Sequence, residues 1–293
     1  MDLHHLRAFV AIAELRHFGR AAARLNITQP ALTKRIRAME DLLGARLFER
    51  DRRGTMLTRF GELLLPDASR ITVAADDLRA RARRAVAGEW GRLDVGFGLS
   101  AIELAPRLVA RYRTAHPDVT VSLNNFSSAE QIERLTSGTL DLGFLRLPPS
   151  GMLATRPLFM DRLAIARPFD MPFDRDMVSL NRTGFVMLES DRGPGLSHQI
   201  AGWCHSIGFI PRVVQRADDI QTVLALVAGG VGYSILPYGA GKLMNDSVRL
   251  EPIDDPAASW TIGMAWRSDR QNPALRNFIA VVDKMGIAGL PQD

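Results

Sequence analysis

The stretch that most constrains this chain is residues 18–43, FGRAAARLNITQPALTKRIRAMEDLL. Its second half carries two stripes at helical spacing. Leu32, Ile36, Met39 and Leu43 recur every three or four residues and are expected to pack inward. Gln29, Thr33, Lys34 and Arg37 share the opposite, polar face. A helix of this kind needs a small core behind it and offers hydrogen-bonding and basic side chains in front, an arrangement that fits a DNA major groove. A first helix is expected from about Leu3 to Leu15, with Leu3, Leu6, Phe9, Val10 and Ala13 inward. A second covers about Gly19 to Leu25, where Ala21 and Ala22 allow close approach of the third. Thr28 is placed to cap that third helix, Pro30 falls in its first turn, and Gly44 closes it.

Charge follows the same division. Residues 1–60 hold twelve Lys/Arg and six Asp/Glu, whereas the remainder holds 25 and 26, so the whole positive excess lies in the first fifth of the chain. That is the footprint of a phosphate-binding module joined to a near-neutral body. A plain solvated basic face is the competing reading. Leu47 to Thr58 reads as a short hairpin turning at Arg52-Arg53-Gly54, a basic wing beside the helices. Arg50, Arg52 and Arg53 on this wing would contact phosphates or a minor groove, supplying affinity rather than sequence choice.

Beyond Thr58 the periodicity changes. Leu64, Ala68, Ile71, Ala75, Leu78, Ala82 and Ala85 are spaced alternately by four and three, a heptad seam. With charged flanks at Arg70, Asp77, Arg81 and Arg84, it reads as a dimerising linker helix, against the alternative of a helix packed on its own body. Pro66 is expected to bend its first turns, and Gly88 and Gly91 bracket a hinge. From Arg92, strands near 93–97, 119–123 and 141–145 alternate with helices near 103–114 and 129–137, the latter capped by Ser128 and ended by Gly138. A second run places strands near 185–188, 212–215 and 233–236 around helices near 196–207 and 219–228. Segments 163–166 and 260–266 are candidate crossovers between two similar lobes, and Asn272-Pro273 starts a final helix. The alternation implies an α/β body of parallel sheets with helices on both faces, and two such lobes leave a cleft at the strand ends.

Several chemistries find little support. Gly96-Phe97-Gly98-Leu99-Ser100-Ala101 fits a dinucleotide-binding pattern, but Asn124 and Asn125 stand where the acidic partner is expected, so an NAD(P)-dependent oxidoreductase is only the alternative reading. A cytosolic solute-binding protein would share the two lobes but leaves residues 1–88 unexplained. The six histidines are scattered, and Cys204 is the single cysteine, so neither a metal site nor a disulfide is expected. Without a second cysteine to resolve it, a thiol sensor is equally unexpected. There is no signal-peptide pattern and no apolar run of membrane-spanning length. No cofactor and no catalytic residue are expected, and the location is expected to be the cytoplasm.

The order of winged helix-turn-helix, linker helix and two-lobed body resembles that of LysR-type transcriptional regulators. Carrying the resemblance are Ala21-Ala22, Leu25, Thr28-Gln29-Pro30-Ala31-Leu32-Thr33, Met39-Glu40, Leu43-Gly44, Leu47-Phe48, Arg50, Leu57-Thr58 and Gly61. Ala115-His116-Pro117 and the run Leu226-Val227-Ala228-Gly229-Gly230-Val231-Gly232 through Leu236-Pro237 agree with it. Two departures stand out: Gly19 where the family usually caps helix two with Ser or Thr, and Met39 in place of Leu.

The resemblance implies a DNA-binding domain at 1–58, a linker helix at 59–88, and a two-lobed, periplasmic-binding-protein-like effector domain at 92–293. Lobe I would hold about 92–163 plus 266–293, and lobe II about 164–265. It places Gln29, Pro30, Thr33 and Lys34 in the groove, with Thr28 and Thr33 closer to the backbone. It further implies promoter DNA and RNA polymerase as partners, a homodimer through the linker, and a homotetramer. A small carboxylate effector, aromatic or dicarboxylic at first expectation, would be held by Ser100, Ser127, Ser128, Leu196 and Ser197 at helix starts. Arg146 matches an arginine of regulators of aromatic catabolism and would pair with Asp161 or assist the ligand.

Overall fold

In the computed structural model, which describes residues 1–51, 54–149, 153–191, 194–243 and 247–285, three helices and a hairpin close around one apolar cluster at the amino terminus. Helix α1 (Leu3–Leu15) starts where the Asp2 carboxylate accepts the His4 and His5 amides at 2.8 and 3.0 Å. Helices α2 (Phe18–Arg24) and α3 (Gln29–Leu43) follow. The caps of α3 are those the sequence calls for: Thr28 Oγ1 accepts the Ala31 amide at 3.4 Å, Pro30 sits in the first turn, and Gly44 adopts φ 70°. Leu32, Ile36 and Met39 are buried with Phe9, Ile12, Phe18, Ala21 and Ala22, and Leu43 is half-buried beside them.

Two expectations need correction here. Helix α2 is capped by His17, whose Nδ1 accepts the Arg20 amide at 3.2 Å, so Gly19 is an interior residue and caps nothing. Helix α1 buries Ala8, Ala11 and Ile12 besides Leu6 and Phe9, while Leu3, Val10 and Ala13 are only half-buried. The reason is that α2, α3 and the hairpin all pack on α1, so a single stripe cannot serve every neighbour.

The hairpin consists of β1 (Phe48–Asp51) and β2 (Gly54–Leu57), antiparallel, with Phe48 opposite Leu57. Phe48 meets Phe9 and Phe18 edge to face, with ring centroids 5.5 and 6.0 Å apart. The Glu40 carboxylate reaches from α3 to accept the Leu47 amide at 2.7 Å, fastening the hairpin to the recognition helix. Thr58 Oγ1 donates to the Arg46 carbonyl at 2.7 Å and accepts the Gly61 amide at 2.9 Å. A Cβ on Gly61 would lie 2.4 Å from the Leu47 carbonyl oxygen, so only glycine fits beneath the wing. Helix α4 (Arg59–Ala87) runs unbroken through Pro66. Of its heptad seam, Ala68 is buried, Leu64 is half-buried, and Ile71 and Leu78 stay 46% and 63% exposed.

Residues 1–84 and 85–293 are two separate compact units. In the second, strand β3 (Gly91–Phe97), helix α5 (Leu104–Ala115), strand β4 (Val119–Asn125), helix α6 (Ser128–Ser137) and strand β5 (Leu142–Leu147) alternate as expected. Then a 15-residue strand, β6 (Ala154–Pro168), leads into helix α7 (Met177–Thr183), strand β7 (Phe185–Leu188), helix α8 (Pro194–Ser206) and strand β8 (Val213–Ala217). Helix α9 (Ile220–Ala228), strands β9 (Ser234–Pro237), β10 (Val248–Pro252) and β11 (Ser259–Trp266), and helix α10 (Pro273–Met285) complete the chain. The main sheet is seven-stranded, in the order β10-β6-β11-β5-β3-β4 with β9 also on β6, while β7 and β8 pair separately.

This sheet is mixed rather than parallel. Strand β3 pairs in parallel with β4 and β5, but β11 is antiparallel to both β5 and β6. The crossover strands must carry the chain out of one lobe and back, which forces opposite directions. Residues 154–162 of β6 pair with β11, and residues 163–168 pair with β9 and β10, so one strand serves both lobes. The segment expected at 163–166 is its second half. Helix α7 and strand β10 lie where no element was expected.

Removing the Glu40 carboxylate would leave the Leu47 amide, on a residue with no exposed surface, without its partner. Glu40→Ala is therefore expected to cost about 1–3 kcal/mol. It would be read as a lower urea midpoint for the amino-terminal unit, followed by circular dichroism at the helix band.

Candidate nucleic-acid interface and effector cleft

Because α3 buries Leu32, Ile36 and Met39, its remaining face must be presented outward. Gln29, Pro30, Lys34 and Arg37 are exposed and Thr33 is half-buried, and the five line one shallow concavity. Thr33 and Arg37 also border a second concavity that continues past Gly44 and Ala45 to Arg46. Among the described residues, Lys34, Arg37 and Arg46 enter no ion pair, so their charges remain available to an external anion. Thr28 is exposed at the start of the helix, where its hydroxyl serves as cap. Arg50 stands on β1 opposite Thr55. Arg52 and Arg53 lie outside the described residues.

Within the body, the ends of β3, β4 and β5 and the start of α8 surround a cavity of about 110 Å³. That is room for several waters or one small organic molecule. Its lining brings together Ser100, Ser127, Ser128, Arg146 and Leu196. Ser197 does not reach it, because α8 starts at Pro194 rather than near 196 and carries Ser197 past the first turn's mouth. Helix α6 is capped by Ser127, which accepts the Glu130 amide at 3.2 Å, so Ser128 is its first residue and not its cap. Two helix amino termini, those of α6 and α8, thus border the cavity with the positive ends of their dipoles.

Arg146 supplies the fixed charge. Its Nη1 donates to the Gly195 carbonyl at 3.1 Å and to Gln199 Oε1 at 3.0 Å, and its guanidinium lies 4.2 Å from the centroid of the Trp260 ring. Gln199 Nε2 donates to the Ala257 carbonyl at 2.8 Å. The backbone amide of Arg146 donates to Ser128 Oγ at 3.4 Å. The expected salt bridge to Asp161 is not formed, because the guanidinium is spent on Gly195, Gln199 and Trp260. Burial lowers the Arg146 pKa, and the more distant Asp161 charge opposes that.

Asp161 is 5% exposed, on β6 directly opposite Trp260. Its Oδ1 accepts the Arg162 and Gly239 amides at 2.8 and 3.4 Å, while Oδ2 has no hydrogen-bond partner among the described residues. Burial pushes this carboxyl above the ordinary range, with the Ser100 hydroxyl, those two amides and Arg146 pulling the other way.

The cleft also contains residues that were not expected to line it. Trp260 and Ile262 arrive on β11, Pro237 on β9, Leu188 at the end of β7, and Phe126 from the loop between β4 and α6. Gly98 carried a signal, in the glycines after β3, but the dinucleotide reading of that signal fails locally. A 3-10 turn, Leu99–Ala101, separates the strand from α5, so no helix amino terminus stands immediately behind the glycines. Among the described residues, no helix is long and apolar enough to cross a membrane.

Comparison with known proteins agrees with both halves. The family model for the bacterial regulatory helix-turn-helix protein, lysR family, matches residues 3–62, and the LysR substrate binding domain model matches residues 87–286. The chain is 37% identical to an uncharacterized HTH-type transcriptional regulator, YnfL, of Escherichia coli over 288 residues, covering 95% of this chain and 96% of that protein. It is 33% identical to the Hca operon transcriptional activator HcaR of Escherichia coli, covering 97% and 98%. The crystal structure of full-length CbnR complexed with its target DNA matches with a TM-score of 0.77 at 28% identity, covering 97% of this chain and 99% of that one.

The raised pKa of Asp161 has a thermodynamic sign. An acid whose folded-state pKa exceeds its unfolded one contributes stability below the unfolded value and loses it as pH rises through the folded value. Asp161→Asn keeps an acceptor for the Arg162 and Gly239 amides but carries no charge. It is expected to melt above wild type at pH ~7 and to lose that advantage as pH falls into the carboxylate range near ~4. Melting curves of both proteins at the two pH values decide this.

Proposed function

We propose a division of labour within a chain that belongs to the LysR family of bacterial DNA-binding transcriptional regulators. Residues 1–58 read promoter DNA, 59–88 pair two chains, and 92–293 bind a small anionic effector. The observation that carries the DNA reading is the outward face of α3, where Gln29 and Lys34 are exposed and Lys34 and Arg37 enter no ion pair among the described residues. Gln29 pairs with an adenine edge, and Lys34 reaches guanine or phosphate. Thr28, Pro30, Thr33 and Arg37 fit the helix against the groove, and Arg50, Arg52 and Arg53 add phosphate contacts from the wing.

The effector reading is supported by the chemistry of the cleft. Two helix amino termini, the Ser100, Ser127 and Ser128 hydroxyls and one desolvated arginine converge on about 110 Å³. A carboxylate suits this set, and the apolar lining from Phe144, Leu196 and Ile262 suits an aromatic or short aliphatic remainder. The exposed Ile71 and Leu78 on α4 favour a homodimer through that helix, and two dimers make the tetramer. Ligand control is then a shift between tetramer shapes with different affinity for the effector, with RNA polymerase as the further partner.

A thiol sensor is disfavoured on physical grounds. Cys204 is 4% exposed, and burial pushes its thiol up to about 11, away from the thiolate that a reactive cysteine requires. Since its relatives are transcriptional regulators, no catalytic role is assigned.

Two measurements test the reading. Replacing Arg37 by alanine is expected to weaken binding to all duplexes alike and to lower the slope of log affinity against log salt by about one. An unchanged slope would remove Arg37 from the phosphate contacts. In the body, benzoate and adipate are titrated by melting-temperature shift. The class that binds is expected to lose about fivefold to tenfold in affinity with Ser128→Ala, the worth of one hydrogen bond. If neither acid shifts the wild-type melting temperature, the carboxylate reading is wrong.

A further inference from the structure

We propose that Gln131 is a positioning residue for the effector cleft. Its carboxamide fixes the peptide between Phe126 and Ser127, and so sets where the Ser127 and Ser128 hydroxyls stand against a bound carboxylate. The proposal rests on the reading of this cleft as an effector site.

Gln131 lies in the first turn of α6, a helix that packs on β3 and β5. It has no exposed surface. Its Nε2 donates to the Phe126 carbonyl at 3.0 Å, across the turn that leads from β4 into α6. Phe126, Ser127 and Ser128 all line the cavity, and Gln131 stands behind them. The other contacts of Phe126 act on its amide and its ring. The amide donates to the Phe97 carbonyl at 3.0 Å, and the ring centroid lies 4.2 Å from the Arg134 guanidinium. Neither restrains rotation of the peptide plane that follows Phe126. That plane is rigid, so holding its oxygen also holds the Ser127 nitrogen.

The niche under the carboxamide is built from glycine. Gly96, the first glycine of the dinucleotide-like pattern, pairs directly with Gly143 across β3 and β5. A Cβ on Gly143 would stand 2.8 Å from Gln131 Oε1, and one on Gly96 would stand 3.2 Å from Gln131 Cγ and 2.8 Å from Leu140 Cδ2. The side chain thus lies on bare backbone and is closed off from solvent, which confines the carboxamide.

A packing role alone does not call for glutamine here. Oε1 is buried and has no hydrogen-bond partner among the described residues. A buried, unpaired acceptor weakens a fold. Methionine, unbranched and adaptable, would fill the same niche without that penalty. What glutamine adds is the donor to Phe126.

The test uses the full-length protein, with benzoate and adipate as probes. Calorimetry reads affinity, melting curves read stability, and hydrogen–deuterium exchange of the free protein reads local order. Gln131→Met and Gln131→Leu are compared with wild type and with Leu135→Val, which trims a buried residue one turn further along α6. Both Gln131 variants are expected to melt within a few degrees of wild type, since losing an unpaired acceptor offsets losing one hydrogen bond. Exchange is expected to quicken at residues 126–128 and nowhere else in the body. The acid that binds wild type is expected to bind both variants about fivefold to tenfold more weakly, the worth of one hydrogen bond. Leu135→Val is expected to melt lower and to keep its affinity.

Four outcomes overturn the proposal. One is unchanged affinity in both Gln131 variants. Another is weaker binding without faster exchange at residues 126–128. The third is an equal loss of affinity in Leu135→Val, which would trace the effect to stability. The fourth is a collapse of the melting temperature in both Gln131 variants, which would make Gln131 a plain core residue. If neither acid binds wild type, the carboxylate reading of the cleft is what fails, and the proposal falls with it for that separate reason.

Discussion

The body of this protein depends on one strand pairing. Antiparallel β6 and β11 run side by side through the centre of the main sheet, and their register sets Asp161 directly opposite Trp260. The placement of Asp161 and Trp260 beside Arg146 hangs from that register. Arg146 can stack on the Trp260 face only because β11 also pairs with β5, the strand that carries the arginine. A slip by one residue would turn each of these side chains to the other face of the sheet. The same pairing explains why the lobes are not independent: β6 is shared, so the second lobe begins on a strand whose first half belongs to the first.

The cleft is costly to build. A desolvated arginine and a desolvated carboxylate act on each other without forming a salt bridge, and one carboxylate oxygen and the Trp260 indole nitrogen have no partner among the described residues. Such groups lower stability unless something compensates them. Gln199 links the two sides, accepting from Arg146 and donating to the Ala257 carbonyl, so α8 is tied to the floor of the cleft by one carboxamide. An incoming anion would meet the desolvated charge of Arg146 and the positive ends of two helix dipoles, and binding would relieve part of a penalty that the fold already carries.

The amino-terminal unit works by the opposite economy, with little buried polarity and small margins in packing. Its hairpin is held to α3 by Glu40 and to α4 by Thr58, with Gly61 allowing the closest approach. These contacts explain several family positions in physical terms. The glutamate after Met39 is a backbone acceptor for the wing, the threonine after Leu57 is a helix cap and strand tie at once, and the glycine at 61 is a clearance.

Local order determined much of this. The stripes of α3, its Thr28 and Gly44 caps and the alternation of strands and helices beyond Arg92 could be read from spacing, because helix and strand periodicities arise within a few residues. The loops bearing Ser100, Ser127, Ser128 and Leu196 were legible for the same reason, as each follows a strand and opens a helix or turn. Ser197 was misjudged by a shift of two residues in one helix start, and His17 was overlooked because histidine is an uncommon cap. What spacing could not supply was long-range pairing. That β11 returns antiparallel to bring Trp260 under Arg146, and that Asp161 is left half-satisfied rather than bridged, were decided by tertiary structure alone. Each depends on residues far apart in the chain whose distance is set by packing, and no local pattern encodes it.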